Sequence, residues 1–332
     1  MGVEMIRKFY WKLSDTFLPL RSIKHSFELF ELIKKLKNDW RLRGVSAFDY
    51  LEVSKDLSIY TNQYFKDNCR YGNYKAVNRF LGKNVNMPVK GIIEHGIYFG
   101  QRPCIMEGPS KYYKKIFTYG DYRREILGKN GINKDDVTVV GPYIKFAKSF
   151  LNFEEIREIK SKIGKTLLIF PSHSTEGVYV DFRKDKLFRE MARIKKEYNF
   201  DTVMVSLYYK DILRGLWKEY EDLGCKIVCA GHQFDNKFLE RLKSVILMSD
   251  VTMSNNLGTH LGYCVALNKP HYFCPQKIEL EVKNAYEDPR KFSEWEKNYN
   301  MEEGIFKNTF GKYTEEVTSE QSGLVRYYWG PF

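Results

Sequence analysis

Six histidines stand in this 332-residue chain, and four of them follow short apolar runs where a strand would end. His95 comes after Val89, Ile92 and Ile93, and His173 after Leu167, Leu168, Ile169 and Phe170. His232 comes after Ile227, Val228, Cys229 and Ala230, and His260 opens the helical pattern beyond Val251 and Met253. Imidazole changes charge near neutral pH and can take the proton of an attacking hydroxyl, so a loop histidine at such a point is suited to general-base work. Hydroxyls that suit phosphate oxygens lie beside two of them: Ser172, Ser174 and Thr175 around His173, and Ser254 and Thr259 before His260. His25 falls in an N-terminal helical region and His271 before a short apolar run. The histidines form no HxH or HxxxH pair and no metal site is expected, zinc included.

The stretch 242–270 gathers most of this chemistry into one unit. Val245, Ile246, Leu247 and Met248 read as a strand closing on Ser249-Asp250, after which Val251-Thr252-Met253 leads into Ser254-Asn255-Asn256-Leu257-Gly258-Thr259. The spacing of Leu261, Cys264, Val265 and Leu267 predicts a helix packed on a sheet. A helix starting near Gly258 directs free N–H groups and the positive end of its dipole at an anion, with Ser254, Thr259 and His260 as further donors. Capping of a buried helix by Ser254 or Asn256 is the plain structural alternative.

The elements that position these loops alternate along the chain. A helical region over 47–81 precedes strands at 89–93, 116–119 and 137–140, with a short helix at 121–127. After a charged helix at 153–162 come strands at 166–170, 202–207 and 226–230, with helices at 184–198, 211–223 and 236–242. Strands that end in glycine-containing turns and alternate with helices predict parallel, doubly wound sheets, whose ligands sit outside the carboxyl ends of the strands. The length suggests two domains, with a boundary near 144–165 where strand-like runs give way to Lys and Glu.

Composition narrows the function classes. Hydrophobic residues make up 43% and charged residues 29%, ordinary for a globular chain, and the 16% aromatic content points to extensive packing. Lys and Arg outnumber Asp and Glu by 54 to 42, a net charge of +12 that favours acidic partners. Nucleic acid is not among those expected, because no RNP-like strand, zinc-finger spacing or helix-turn-helix pattern is present. Six scattered cysteines without CxxC spacing read as reduced core residues. With no secretory leader and no run of about 18 apolar residues, a cytoplasmic protein is expected. Ile6, Phe9, Tyr10, Leu13 and Phe17, and then Ile23, Phe27, Phe30 and Ile33, recur at helical spacing among Lys and Arg. These basic amphipathic helices either pack on the first domain or lie on an anionic membrane surface.

Taken in order, Glu94-His95-Gly96, Phe117 to Arg123, Gly141-Pro142-Tyr143 and Ser249-Asp250 through Thr259 to Lys269-Pro270 resemble the motifs of GT-B fold glycosyltransferases of bacterial capsule, lipopolysaccharide and teichoic-acid synthesis. The resemblance covers about residues 89–275. It implies an α/β fold of two Rossmann-like domains facing a cleft, with leading helices: an acceptor-side domain over 1–150, a nucleotide-sugar domain over 151–280, and a helical, aromatic tail over 281–332 that packs back on the first. It further implies a sugar nucleotide as co-substrate without an essential metal or other cofactor, and a glycan or lipid-linked glycan as acceptor. A peripheral position on the inner face of the bacterial membrane would rest on the basic N-terminal helices, the alternative being that they pack on the first domain. His95 is the implied base, with His173 as a second catalytic residue. Ser172, Ser174, Thr175, Glu176, His232, Ser254, Asn255, Gly258, Thr259 and His260 would bind the donor, and Gly96, Arg102 and Arg123 the acceptor. In place of the paired-serine and aspartate motif of the similar CDP-glycerol polymerases, this chain has Asn255-Asn256 and Gly258-Thr259-His260. A CDP-alditol phosphotransferase and a GT-B-like sugar epimerase, the latter using Glu94 and Glu176, are the alternatives.

Overall fold

A computed structural model describes residues 19–20, 23–24, 26–27, 30–31, 34, 44–57, 67–101, 113–175, 178–282 and 289–332. The first amphipathic pattern, from Ile6 to Phe17, lies outside them, as do Arg102, Cys104 and Glu176. The described cysteines are free. No helix among the described residues is long and apolar enough to cross a membrane.

Two parallel sheets organise the chain. The first is built from β1 (Ile92–Ile93), β2 (Ile116–Thr118) and β3 (Val137–Val139), paired in that order. The second takes β4 (Thr166–Phe170), β6 (Thr202–Ser206), β7 (Lys226–Val228), β8 (Val251–Ser254) and β9 (His271–Phe273) in the order β7-β6-β4-β8-β9. The intervening β5 (Val178–Phe182) leaves the sheet and pairs antiparallel with β10 (Ile278–Val282).

The helices are α1 (Tyr50–Val53), α2 (Asn73–Phe80), α3 (Asp121–Lys129), α4 (Tyr143–Phe146), α5 (Phe153–Ile163) and α6 (Lys184–Glu197). They continue with α7 (Tyr209–Leu213), α8 (Trp217–Asp222), α9 (Phe238–Met248), α10 (Thr259–Ala266), α11 (Pro289–Phe310) and α12 (Ser319–Trp329). Local signals set several boundaries. Asn152 and Glu155 form a reciprocal capping box at the start of α5, and Thr318 and Gln321 form another at the start of α12.

Period-two alternation divides the second sheet between two cores. Leu167, Ile169, Val203, Val205, Val251 and Met253 face Leu187, Met191 and Ile194 of α6. Leu168, Phe170, Met204 and Val228 face the other way, toward Leu239, Val245 and Ile246 of α9 and Leu261 and Val265 of α10. Helices thus cover both faces, as a parallel sheet requires, and the arrangement is Rossmann-like. The second core also takes in Ile93 and Phe117 of the first sheet and Phe306, Val325 and Trp329 of the C-terminal helices.

Three expectations change. Residues 245–248 are the last turns of α9, and the strand beside them begins at Val251. A buried helix end and a buried strand are both continuous apolar runs, so periodicity does not separate them. The helix expected over 211–223 is two short ones, α7 and α8, interrupted around Gly215, whose φ is 78°. Of the region 47–81, α1, the helical residues Asp67 and Asn68, a 3-10 turn at Arg70–Gly72 and α2 are the helical parts among the described residues. Of the second amphipathic pattern, Ile23, Phe27 and Phe30 are exposed.

The aromatic end of the chain is a packing device. Tyr328 stacks on Tyr122 of α3 at a centroid distance of 4.3 Å. The Trp329 indole is fully buried and donates to the Thr259 carbonyl at 3.2 Å. Its ring covers Gly262 so closely that a Cβ there would fall 2.1 Å from an indole carbon. Trp329→Ala should cost about 3–5 kcal/mol of stability, measured as a lowered urea midpoint of unfolding.

Candidate functional site

Strand order fixes where the crevice lies. The chain runs outward from β4 through β6 to β7, then returns to β8 and continues to β9 on the far side. Loops leaving neighbouring strands β4 and β8 therefore turn in opposite directions, and the gap between them is the ligand position of such sheets. Two asparagines hold its floor together. Asn255 Oδ1 accepts from the Ser172 N–H at 2.7 Å, and Asn256 Nδ2 donates to Ser172 Oγ at 3.0 Å.

A cavity of about 270 Å³ opens above this floor. From the second sheet it is lined by Phe170, Pro171, His173, Tyr208, Asn256, Leu257, Gly258, Thr259 and His260. Thr259 and His260 are the first residues of α10, so their N–H groups have no intrahelical acceptor and lie at the positive end of the helix. From the first sheet come His95, Gly96, Ile97 and Tyr98, in the loop after β1, and Tyr71 completes the rim. Among the described residues, no Lys, Arg, Asp or Glu lines it.

The β1 loop is clamped from behind. Arg123 binds the Glu94 carboxylate through two bonds, of 2.6 and 3.1 Å, with side chains 0% and 4% exposed. Thr118 donates to the same carboxylate. The Arg123 guanidinium also lies 5.1 Å from the Tyr98 ring centre. On the cleft side, the Ile97 N–H donates to Thr259 Oγ1 at 3.2 Å, tying the loop to α10. That approach needs Gly96, where an added Cβ would sit 3.1 Å from the same oxygen.

His95 Nδ1 lies 3.1 Å from the Tyr98 hydroxyl. When that hydroxyl accepts from Nδ1–H, Nε2 carries the free lone pair. Burial, reinforced by Arg70, lowers the His95 pKa from 6.5 to about 4. The ring is neutral at pH 7 and able to accept a proton, though a weak base while the cleft is empty. A bound anion would raise its basicity. His260 is stacked on Phe170 at 4.8 Å, its Nε2 is buried without a hydrogen-bond partner, and burial followed by the nearby His173 lowers its pKa to about 3. His173 is exposed at the rim, its ring 4.5 Å from that of Tyr208 and its Nδ1 3.3 Å from the Ser174 carbonyl oxygen.

The structure thus brings together His95, Gly96, His173, Gly258, Thr259 and His260 around one cavity, with Ser172 in its floor. Other expected residues are engaged elsewhere. The Ser254 hydroxyl lies 2.9 Å from His271 Nε2 in a buried network with Thr252. Asn255 spends both ends of its amide on Ser172 and Gln276. Ser174 Oγ accepts from Arg214 and from the Val180 N–H, and Thr175 is exposed outside the lining. His232 accepts from the Phe234 N–H and faces Asp56 at 3.0 Å, away from the cavity. Arg123 is the Glu94 clamp and not an open phosphate contact.

Sequence reading missed the tyrosines. Tyr71 has φ 58°, a left-handed conformation costly for an aromatic residue, and its hydroxyl is 3.3 Å from that of Tyr208 across the rim. Arg70-Tyr71-Gly72 is a turn signal inside an apparently helical run, and Tyr98 stands three residues from His95. Either feature could have drawn attention to them.

No protein-family model matches the chain, and no curated protein matches it in sequence. Among solved structures it is similar to HepE of Anabaena with UDP and glucose, at 11% identity and TM-score 0.35, over 76% of this chain and 70% of that one. It is similar to UDP-GlcNAc 2-epimerase of Methanocaldococcus jannaschii with UDP-GlcNAc and UDP, at 16% identity and TM-score 0.36, over 66% and 61%. The wall teichoic acid polymerase TagF is matched at 13% identity and TM-score 0.32, over 66% of this chain and 49% of that one, so the match spans about half of the polymerase chain. The functional reading rests on the site itself.

Two tests follow from this geometry. Arg123→Met leaves the buried Glu94 carboxylate without its countercharge, with only the Thr118 hydroxyl on it, and should cost about 3–5 kcal/mol, much of which Glu94→Gln in the same chain should restore; urea unfolding of the parent chain and the two variants measures it. His95 and His260 have folded pKa values below 6.5, so the unfolded chain binds more protons in acid. Stability should be whole above about pH 6.5 and fall as pH drops toward about 4. Urea midpoints at about pH 7.5 and about pH 5 should differ less in His95→Gln than in the parent chain.

Proposed function

We propose that the chain is a glycosyltransferase of GT-B type that moves a sugar from a nucleotide-sugar donor to a hydroxyl of a bacterial surface glycan, without an essential metal. The observation that carries this reading is the opposition of two features across one cavity. The amino end of α10 presents Thr259 and His260 on one wall, and neutral His95 stands in the β1 loop on the other.

A sugar nucleotide seated at the switch point would place its phosphates at Gly258 and Thr259, where helix N–H groups stabilise the charge of the leaving nucleotide. Phe170, Tyr208 and Tyr71 offer aromatic faces to the base or sugar. The acceptor hydroxyl enters beside His95. Its proton passes to the imidazole, its oxygen bonds the anomeric carbon, and the bond from that carbon to the phosphate oxygen breaks, with the electron pair leaving on the nucleotide. Charge stabilisation then rests on backbone donors, since the lining offers no Lys or Arg among the described residues.

The epimerase alternative needs carboxylates that reach the sugar. Glu94 is bound on both oxygens by Arg123 and is not among the lining residues, which removes one of the two carboxylates that reading named; the other, Glu176, lies outside the described residues. Asn255 and Asn256, which replace the paired-serine motif, serve as staples between loops, and this gives no support to a CDP-alditol donor.

Nucleotide binding should raise thermal stability with concentration, by about 2.7 kcal/mol at a hundred times the dissociation constant. His95→Ala should keep that shift yet lose about 10²–10⁴-fold in transfer rate, and Thr259→Val should weaken the shift itself. Transfer should persist in EDTA. Unchanged turnover by His95→Ala would remove His95 from the role of base.

A further inference from the structure

A second cavity, of about 550 Å³, lies beside the segment that links the two sheets. Its charged lining comes from Lys75 and Arg79 on α2, Lys148 in the link, Glu155 on α5, Lys237 just before α9 and Glu240 in the first turn of α9. The wall is shared with the first site: Phe238, Leu239 and Leu242 of the same helix line the cavity at the switch point.

Charge in this cavity is unbalanced. Four cations face two carboxylates, and both carboxylates are already committed. Glu240 is shared between Lys237 at 2.7 Å and Arg79 at 3.6 Å. Glu155 accepts from the Asn152 N–H in the capping box of α5. Lys75 reaches the Asn236 carbonyl at 3.2 Å, a neutral acceptor, and Lys148 forms no ion pair among the described residues. Further positive charge stands close by, with Lys243 donating to the Ala147 carbonyl at 2.7 Å.

The cations repel one another as well. Burial lowers the Lys75 pKa from 10.5 to about 8; Lys237 and Arg79 push the same way, while Glu240 and Asp235 oppose the shift without cancelling it. Burial, Lys145 and Arg79 lower that of Lys243. Ammonium groups crowded in this way gain from an anion that enters between them, since it removes the repulsion and restores each proton affinity. The lining atoms are strong donors with flexible stems, suited to a group with several acceptor oxygens.

We propose that this cavity binds a phosphoryl group, carried either by a free small molecule or by a lipid headgroup. The site is separate from the one that supports the transferase reading and does not depend on it. An uncharged catalytic cavity on one side of α9 and a cationic cavity on the other give the molecule two distinct ligand chemistries.

The test uses the full chain at constant ionic strength. Calorimetric titration with inorganic pyrophosphate examines the free form, and co-sedimentation with phosphatidylcholine vesicles, with and without phosphatidic acid, examines the headgroup. Saturable binding in at least one arm is expected, weakened at least tenfold by Lys75→Met and by the exposed Lys148→Glu; binding that Thr259→Val abolishes and the lysine variants leave intact would belong to the other cavity and overturn the site. Titration near the Lys75 pKa in two buffers of different ionisation enthalpy should show proton uptake that Lys75→Met abolishes. No binding in either arm, or binding that both lysine variants leave intact, would overturn the site. Because Lys148 is exposed, Lys148→Glu remains decisive if Lys75→Met does not fold.

Discussion

Glu94 and Arg123 are charges almost sealed from water, and the geometry of the cleft depends on their pairing. The short strand β1 has two residues, too few to orient the loop that follows it. Orientation comes from the carboxylate at the strand's end, gripped by a guanidinium from α3 and by the Thr118 hydroxyl of β2. Such a pair adds little net stability compared with apolar residues of equal volume, but it tolerates few alternative arrangements. With Glu94 turned inward, the next residue, His95, is presented to the cavity, and Tyr98 closes over the clamp. One interaction thus turns one side chain into the core and its neighbour into the cleft.

The same separation of charge runs through the molecule. A chain of net charge +12 lines its central cavity, among the described residues, with tyrosine, histidine, leucine and phenylalanine, and in the proposed reaction anion stabilisation there falls to the end of a helix. Backbone N–H groups provide direction without a flexible side chain and stay fixed while charge develops. The cationic side chains gather instead around the link between the sheets, where α9 divides the two environments. A hydroxyl contact at the rim, Tyr71 with Tyr208, joins its walls without adding charge, and Tyr119 with Tyr263 makes a similar one in the core behind it.

Much of the architecture was legible in the sequence because both sheets are parallel and buried. Runs such as Leu167 to Phe170 belong in a buried interior, and the glycines and histidines that follow them mark where they end. Helix α10 was legible from Gly258 and its apolar spacing. The roles of polar side chains were not. Ser254 and Thr259 look alike as hydroxyls beside a glycine turn, yet pleat alternation turns Ser254 toward His271, while Thr259, at the helix end, faces Ile97. Arg123 reads as a surface cation until the fold brings Glu94 against it from 29 positions away. Tyr71 was obscured for a different reason, since a left-handed residue inside a helical run has no periodic signature.

Trp329 and Gly262 illustrate what such packing demands over evolutionary time. The indole occupies the volume that any side chain at position 262 would need, and its N–H binds the carbonyl at the first residue of α10. Neither position can drift alone: a larger residue at 262 requires a smaller ring at 329, and a smaller ring leaves the Thr259 carbonyl without its donor. In a set of divergent homologues these two columns should therefore vary together, although 66 residues of sequence lie between them.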